Sequence, residues 1–274
     1  MPEGPEIRRA ADQIANVLKG KVVQSAELSH PSLSGAEKFI IGHKVEGVET
    51  RGKAMLTHFS SDKTMYSHNQ LYGVWRVSVR GHVPKTKRAL RIGLHTEEGS
   101  AFLYSATDIS FWDRNTVDQH PFLKRLGPDL LSEGISAELI TERLLSDEFK
   151  NRRLSSLYLN QGFIAGIGNY LRSEILFFAG VDPKLKPRDL DLAEKQKLSR
   201  VTLEIGLRSY RTGGNTLPPR LLPESAKKKG RYFERDRFAV FARAGKSCRV
   251  CKTSIEKESL ASRRIYWCPA CQST

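Results

Sequence analysis

Ala54-Met55-Leu56-Thr57-His58-Phe59-Ser60-Ser61-Asp62-Lys63-Thr64-Met65-Tyr66-Ser67-His68 reads as two short strands, residues 54–59 and 64–68, joined at a polar turn cluster. The same texture extends in both directions. Residues 21–28 and 43–49 precede it as β-rich runs, and residues 74–79, 89–96 and 100–105 follow. Many short strands separated by regular turns predict a β-sandwich or barrel. Ahead of the strands, residues 5–19 predict an amphipathic helix. Ile7, Ala10, Ala11, Ile14, Val17 and Leu18 form one apolar stripe, Pro5 fits the first helical position and Gly20 fits the stop.

Past this block the texture changes. Asp113–Leu131, with Pro121 and Pro128, reads as a linker. Helical patterns follow at residues 137–145, 151–161, 170–179 and 190–207. Thr212–Ala226, with three prolines and Gly213-Gly214, reads as a loop that leads through Lys227-Lys228-Lys229 into short strands and the cysteine pairs. The expectation is an α+β chain in three parts. Residues 1–120 form a helix plus β-sandwich domain, 121–215 a helical domain, and 216–274 a basic loop and zinc finger.

The chain has 274 residues, 45 Lys plus Arg and 30 Asp plus Glu, a formal charge of +15. Such an excess favours a polyanionic partner, nucleic acid first. Its distribution supports that reading: residues 220–274 hold fourteen Lys/Arg against five Asp/Glu. No apolar run approaches a membrane span, and the charged N-terminus is unlike a secretory signal. A cytoplasmic, nucleoid-associated monomer is expected.

Cys248-Arg249-Val250-Cys251 and Cys268-Pro269-Ala270-Cys271 are two Cys-x-x-Cys knuckles separated by sixteen residues. That spacing suits one zinc ion held by Cys248, Cys251, Cys268 and Cys271. Four thiolates leave no position for water, so the metal is structural. The stretch between the knuckles reads as a hairpin carrying Arg263 and Arg264, suited to phosphate or groove contact. Gly166-Ile167-Gly168-Asn169-Tyr170 permits a tight turn into a helix whose first amides can hold a phosphate. Alone it is a weak signal; with the basic charge, DNA backbone contact is the better reading. Lys53, in Thr50-Arg51-Gly52-Lys53-Ala54, could reach into a cleft, but alone reads as a solvated hairpin lysine. Gln70-Leu71-Tyr72-Gly73 could be a loop tip that wedges into a base stack; alone it reads as core.

The N-terminus, Met1-Pro2-Glu3-Gly4-Pro5-Glu6, carries a sharper reading. With Met1 removed, Pro2 is a free secondary amine, able to attack a sugar C1′ and form an iminium. With Met1 retained its nitrogen is an amide with no usable lone pair. The bland alternative is a stiff tail before a helix, with Glu6 a first-turn carboxylate that suits the dipole.

Together these motifs resemble the bacterial formamidopyrimidine-DNA glycosylase/endonuclease VIII superfamily, most closely its endonuclease VIII branch. The resemblance rests on residues 1–10, 50–54, 66–75 and 168–172 and on the cysteine pairs, in one order over essentially the full chain. It implies a helix plus β-sandwich, then a helix–two-turns–helix domain with a zinc finger, and DNA across the cleft. It also implies a bifunctional glycosylase and abasic-site lyase of base excision repair, acting on double-stranded DNA with oxidised bases or abasic sites. Pyrimidine lesions are expected ahead of purines, with β,δ-elimination. In that frame Pro2 is the nucleophile, Glu3 the acid/base, and Lys53 a phosphate contact and proton-transfer aid. Asn169 and Arg263 clamp phosphates, Gln70, Leu71 and Tyr72 fill the hole left by the flipped base, and Glu6 shapes the pocket. One departure concerns residues 212–232, whose Gly213-Gly214-Asn215-Thr216 start is closer to the formamidopyrimidine branch. An oxidised-purine glycosylase and a noncatalytic zinc-ribbon module are the alternatives.

Overall fold

The computed structural model describes residues 2–223, 236–260 and 263–273. The Lys227–Lys229 run, Met1 and Ser262 lie outside the described residues. The chain divides into two compact units, residues 1–125 and 126–274.

The first unit opens with α1 (Gly4–Leu18), capped by Glu3. Pro5 stands at the second helical position rather than the predicted first. Its missing N–H costs nothing there, because the first four helix amides have no intrahelical acceptor. Gly20, at φ +82°, ends the helix as predicted. A single-turn α2 (Glu37–Ile40) and eight strands follow: β1 (Ser25–Leu28), β2 (Val45–Arg51), β3 (Ala54–Phe59), β4 (Lys63–His68), β5 (Val74–Val79), β6 (Leu90–His95), β7 (Gly99–Tyr104) and β8 (Asp108–Asp113). They form two four-stranded antiparallel sheets, ordered β2-β3-β4-β8 and β1-β6-β7-β5. Met55, Phe59 and Met65 from one sheet, Ile92, Leu94 and Leu103 from the other, and Ile7, Ile14 and Leu18 of α1 share one buried core. The α+β sandwich is thus built on burial of alternate strand residues.

Among the described strands, β8 is the one that the sequence reading does not predict. Asp108 and Asp113 bound it, and aspartate is uncommon in strands. These ends obscure Ile109 and Phe111, which face the core.

The second unit contains α3 (Ala137–Leu145), α4 (Leu154–Leu157), α5 (Asn169–Ala179), α6 (Leu192–Arg211) and a hairpin of β9 (Glu256–Leu260) and β10 (Arg263–Trp267). The predicted helix over 151–161 shrinks to the single turn α4. Beyond it, Asn160 Oδ1 accepts from the Gly162 amide, and the Gln161 side chain bonds Leu159 O, Ile167 O and the Gly166 amide. Side-chain amides thus satisfy backbone groups that a longer helix would have used.

Helix α5 is the hub of this unit, with Leu171, Ile175 and Leu176 in the main core. It also buries two charges, Arg172 and Glu174, both 0% exposed. The Glu174 carboxylate accepts from the amides of Ala239 (2.8 Å), Val240 (2.9 Å) and Phe241 (2.9 Å) and from the Thr216 hydroxyl. Arg172 donates to Ser155 O at 2.7 Å and Arg264 O at 3.0 Å, so β10 is pinned to α5. None of the described helices is long and apolar enough to cross a membrane.

Candidate active site

In the first unit the start of α1 places Pro2 and Glu3 together. Pro2 is half-buried and Glu3 only 3% exposed. The Glu3 amide donates to Glu6 Oε2 at 3.1 Å, and Glu6 Oε1 pairs with Arg9 at 2.9 Å. Glu6 is therefore engaged in capping the helix. A carboxylate at Glu3 sits where the helix dipole favours an anion.

Lys53 occupies the second position of the two-residue turn between β2 and β3, which Arg51 and Ala54 close as a register pair. Gly52, at φ +63°, supplies the first position, a backbone region that a β-carbon disfavours. Ala54 pairs with His68, and His68 with Asp108. One end of the sheet thus gathers Lys53, His68 and Asp108.

The loop after His68 carries the predicted wedge. Leu71 is 52% and Tyr72 68% exposed, which settles against the core reading of these residues. The loop is held closely. Gln70 adopts φ +48°, its amide donates to His68 Nδ1 at 2.9 Å, and Thr107 Oγ1 donates to Gln70 Oε1 at 2.9 Å. Gly73 folds back on Asn69, where an added Cβ would lie 2.6 Å from the Asn69 carbonyl oxygen.

The outer face of this sheet holds residues to which the sequence reading gives no role. Tyr66 is fully buried, its hydroxyl 3.3 Å from Asp108 Oδ2, and its ring stacks on His120 at 3.8 Å. Burial, then the Asp108 charge, pushes the Tyr66 phenol well above its ordinary range. Burial is also the main cause that lowers His68, opposed by Asp108 and assisted by Lys53 and His120. His120 is lowered for the same first reason, opposed by Asp108 and assisted by Arg125. Both rings are neutral near pH 7. Each accepts a backbone N–H at Nδ1, from Gln70 and Phe122, so Nε2 carries the proton.

These shifts have a stability consequence. A histidine in the unfolded chain titrates near 6.5, above the folded values. The unfolded state therefore takes up more protons as pH falls, and the contribution of these rings is full above about pH 6.5 and is lost below it. The urea midpoint should fall between pH 7.5 and pH 5.5, and His120→Gln should flatten that fall. An identical pH slope in the variant would assign the effect elsewhere.

In the second unit, Gly166 (φ +95°) turns the chain and Asn169 opens α5. Asn169 is half-buried, and its Oδ1 accepts from Arg172 at 2.6 Å. That contact orients the side-chain NH2 group away from Arg172, as a donor. Arg263 and Arg264 lie exposed on β10.

The four cysteine sulfurs all lie within 4.8 Å of one another, with Cys248–Cys271 at 3.9 Å and Cys251–Cys268 at 3.4 Å. A tetrahedron with metal–sulfur bonds of about 2.3 Å has edges of about 3.8 Å, so these residues fit a thiolate-bound metal. The Val250 amide points at Cys248 Sγ at 3.4 Å, as a knuckle that shields thiolate charge should. The Gln272 side chain accepts from the Cys268 amide and donates to Val181 O, both at 2.9 Å, which ties the second knuckle to the helical core.

Comparison with known proteins bears on the whole arrangement. Residues 1–115 match the formamidopyrimidine-DNA glycosylase N-terminal domain, and residues 126–218 the formamidopyrimidine-DNA glycosylase H2TH domain. The chain is 47% identical over 272 residues to Endonuclease 8 of Escherichia coli K12, covering 99% of this chain and 100% of that one. The Endonuclease 8 of Shigella sonnei is similar to the same degree, 47% over 272 residues, with the same coverage. Among solved structures, Lactococcus lactis formamidopyrimidine-DNA glycosylase bound to DNA with an abasic site has the same fold. It superposes with a TM-score of 0.81 at 21% identity, over 99% of this chain and 100% of that one. Two domain matches in order, and close to half of all residues shared from end to end with Endonuclease 8, place this chain in the formamidopyrimidine-DNA glycosylase/endonuclease VIII family.

Proposed function

We propose that this protein is a bifunctional DNA glycosylase and abasic-site lyase of base excision repair, acting on oxidised pyrimidines in double-stranded DNA. The observation that carries the reading is the full-length similarity to Endonuclease 8 in a chain that presents Pro2 and a buried Glu3 at the start of α1.

A stacked base hides its glycosidic bond, so the damaged nucleotide must leave the helix. Leu71 and Tyr72, exposed on a tightly held loop, fill the gap this leaves. Lys53 in the first unit, and Asn169 and Arg263 in the second, each contact a backbone phosphate, the roles that the family resemblance gives them. The Pro2 nitrogen, freed of Met1, adds its lone pair to C1′ as the C1′–base bond breaks; the base leaves with the bonding pair and takes up the N–H proton that the secondary amine gives up. Glu3 supplies the proton that opens the sugar ring at its oxygen. The product is a cationic C1′ iminium on Pro2. That cation acidifies the C2′ hydrogen; its removal as a proton expels the 3′ phosphate and breaks the strand. A second elimination expels the 5′ phosphate, and hydrolysis of the iminium restores the amine. An α-amino group ordinarily titrates at about 7.7–8.0, so a useful fraction is neutral near pH 7. The four cysteines would hold one zinc ion, which gives the β9–β10 hairpin a rigid base for Arg263.

Borohydride reduction during turnover of a dihydrouracil duplex should trap a covalent adduct that maps to the N-terminal peptide at Pro2. An adduct on an internal lysine, or none, would overturn the mechanism. Gly213 and Gly214, at φ +72° and +95°, lead into a buried Asn215-Thr216 pair, and this start resembles the purine-acting branch. Parallel excision rates on dihydrouracil and 8-oxoguanine duplexes decide the base preference, with the former expected to be faster.

A further inference from the structure

Strands β5 and β6 lie on opposite sides of β7 and run in the same direction. Val79 pairs with Gly99 at one end of β7, whereas Leu90 pairs with Tyr104 at the other. Residues 80–89 must therefore travel back along β7, about 17 Å for five strand residues. This crossover lies over the face of β5 and β7 that points away from the core. Two side chains of that face tack it down: Ser78 donates to His82 O, and Arg76 to Lys85 O at 3.4 Å. A third tie fixes its far end, where Arg88 donates to Tyr72 O at 2.6 Å. The crossover thus ends against the carbonyl of the exposed wedge loop.

The charge here is one-sided. From Lys63 to Thr96 the sequence has seven Lys/Arg and no Asp or Glu. Arg80, Lys85 and Lys87 are exposed, and none of the three forms a salt bridge among the described residues. Repulsion along a short pinned segment is unfavourable in the free protein. A row of phosphates relieves it.

We propose that the 80–89 crossover is a second DNA-contact surface, on which Arg80, Lys85 and Lys87 bind backbone phosphates of the duplex flanking the lesion. This rests on the reading of the protein as a DNA repair enzyme, and it adds a surface separate from the motifs that carry that reading. The surface leads away from Tyr72, so its phosphates lie outside the gap that the wedge fills. Arg88 acts differently: it holds the wedge carbonyl and so couples the surface to the loop.

The test is binding, read on a duplex with an uncleavable abasic-site analogue, so that it does not depend on excision. Neutralising Arg80, Lys85 and Lys87 together to Gln should weaken affinity at least about tenfold at 0.1 M salt. It should also flatten the slope of log K against log salt by about 2.7, three contacts at roughly 0.9 each. The charge-conserving triple R80K/K85R/K87R should bind like the parent. Wild-type affinity and slope in the neutral triple would overturn the proposal. So would an equal loss in the charge-conserving triple, because the side chains would then act through packing. Failure of the parent protein to form a borohydride adduct would remove the iminium mechanism, while the salt slopes would still decide this one.

Discussion

Glu3→Gln should lower excision of a damaged base by roughly 10²–10⁴-fold, the range that a positioned acid/base supplies. The substitution preserves volume at a site only 3% exposed. It also leaves in place the backbone contacts that start α1, the Glu3 amide to Glu6 and the Glu3 carbonyl to the amides of Glu6 and Ile7. What it removes is a group able to give and take a proton. Single-turnover excision of dihydrouracil, with the melting temperature as a check on folding, measures the effect. Strand cleavage at a preformed abasic site should suffer less, because base loss is already complete there. Excision within about threefold of the parent would take Glu3 out of the chemistry.

Cys251→Ser should lose both metal and DNA binding. A two-stranded ribbon alone is marginal in water, and β9–β10 is such a ribbon. Around the knuckles the apolar support is small: Cys248, Cys268 and Ile255 pack with Val240, Ala239, Leu217 and Phe177. Structural zinc supplies about 10–16 kcal/mol of apparent binding energy in small fingers at neutral pH, and where the site forms only on folding that energy is folding energy. A hydroxyl in place of one thiolate forfeits much of it. Metal content should fall from one zinc per chain to a small fraction, and affinity for an uncleavable abasic duplex should fall with it. Undiminished binding by the metal-free variant would show that the hairpin takes no part in holding DNA.

Legibility in the sequence followed the range of the interactions. Helix α3 coincides with its predicted residues, and β3 and β5 do too, because local pattern and turn residues mark their ends. The cysteine pairs were readable for the same reason: each knuckle is a four-residue signal. Leu71 and Tyr72 were ambiguous, because an apolar residue next to a glycine suits a loop tip as well as a core. Their exposure depends on how Asn69 and Gly73 fold together. His120, Asp108 and Arg125 carried no local signal. They meet Tyr66 and His68 only after β4 pairs with β8 and the chain returns across the sheet. Arg172 was equally silent. An arginine in an amphipathic helix ordinarily faces water, and its burial is set by partners on α4 and β10.

The two buried charges of α5 also bear on the order in which the chain is made. Glu174 finds its amide partners 65, 66 and 67 residues downstream, and Arg172 reaches Arg264 after 92. During synthesis α5 therefore emerges with a carboxylate and a guanidinium that cannot be buried without several kcal/mol of penalty until residues 239–264 follow. The first unit closes on contacts within residues 1–125 and carries no such debt. Emergence of residues 239–264 from the ribosome should thus be the event that completes the second unit. Nascent chains that stop short of the hairpin should remain open, protease-sensitive and unable to grip DNA.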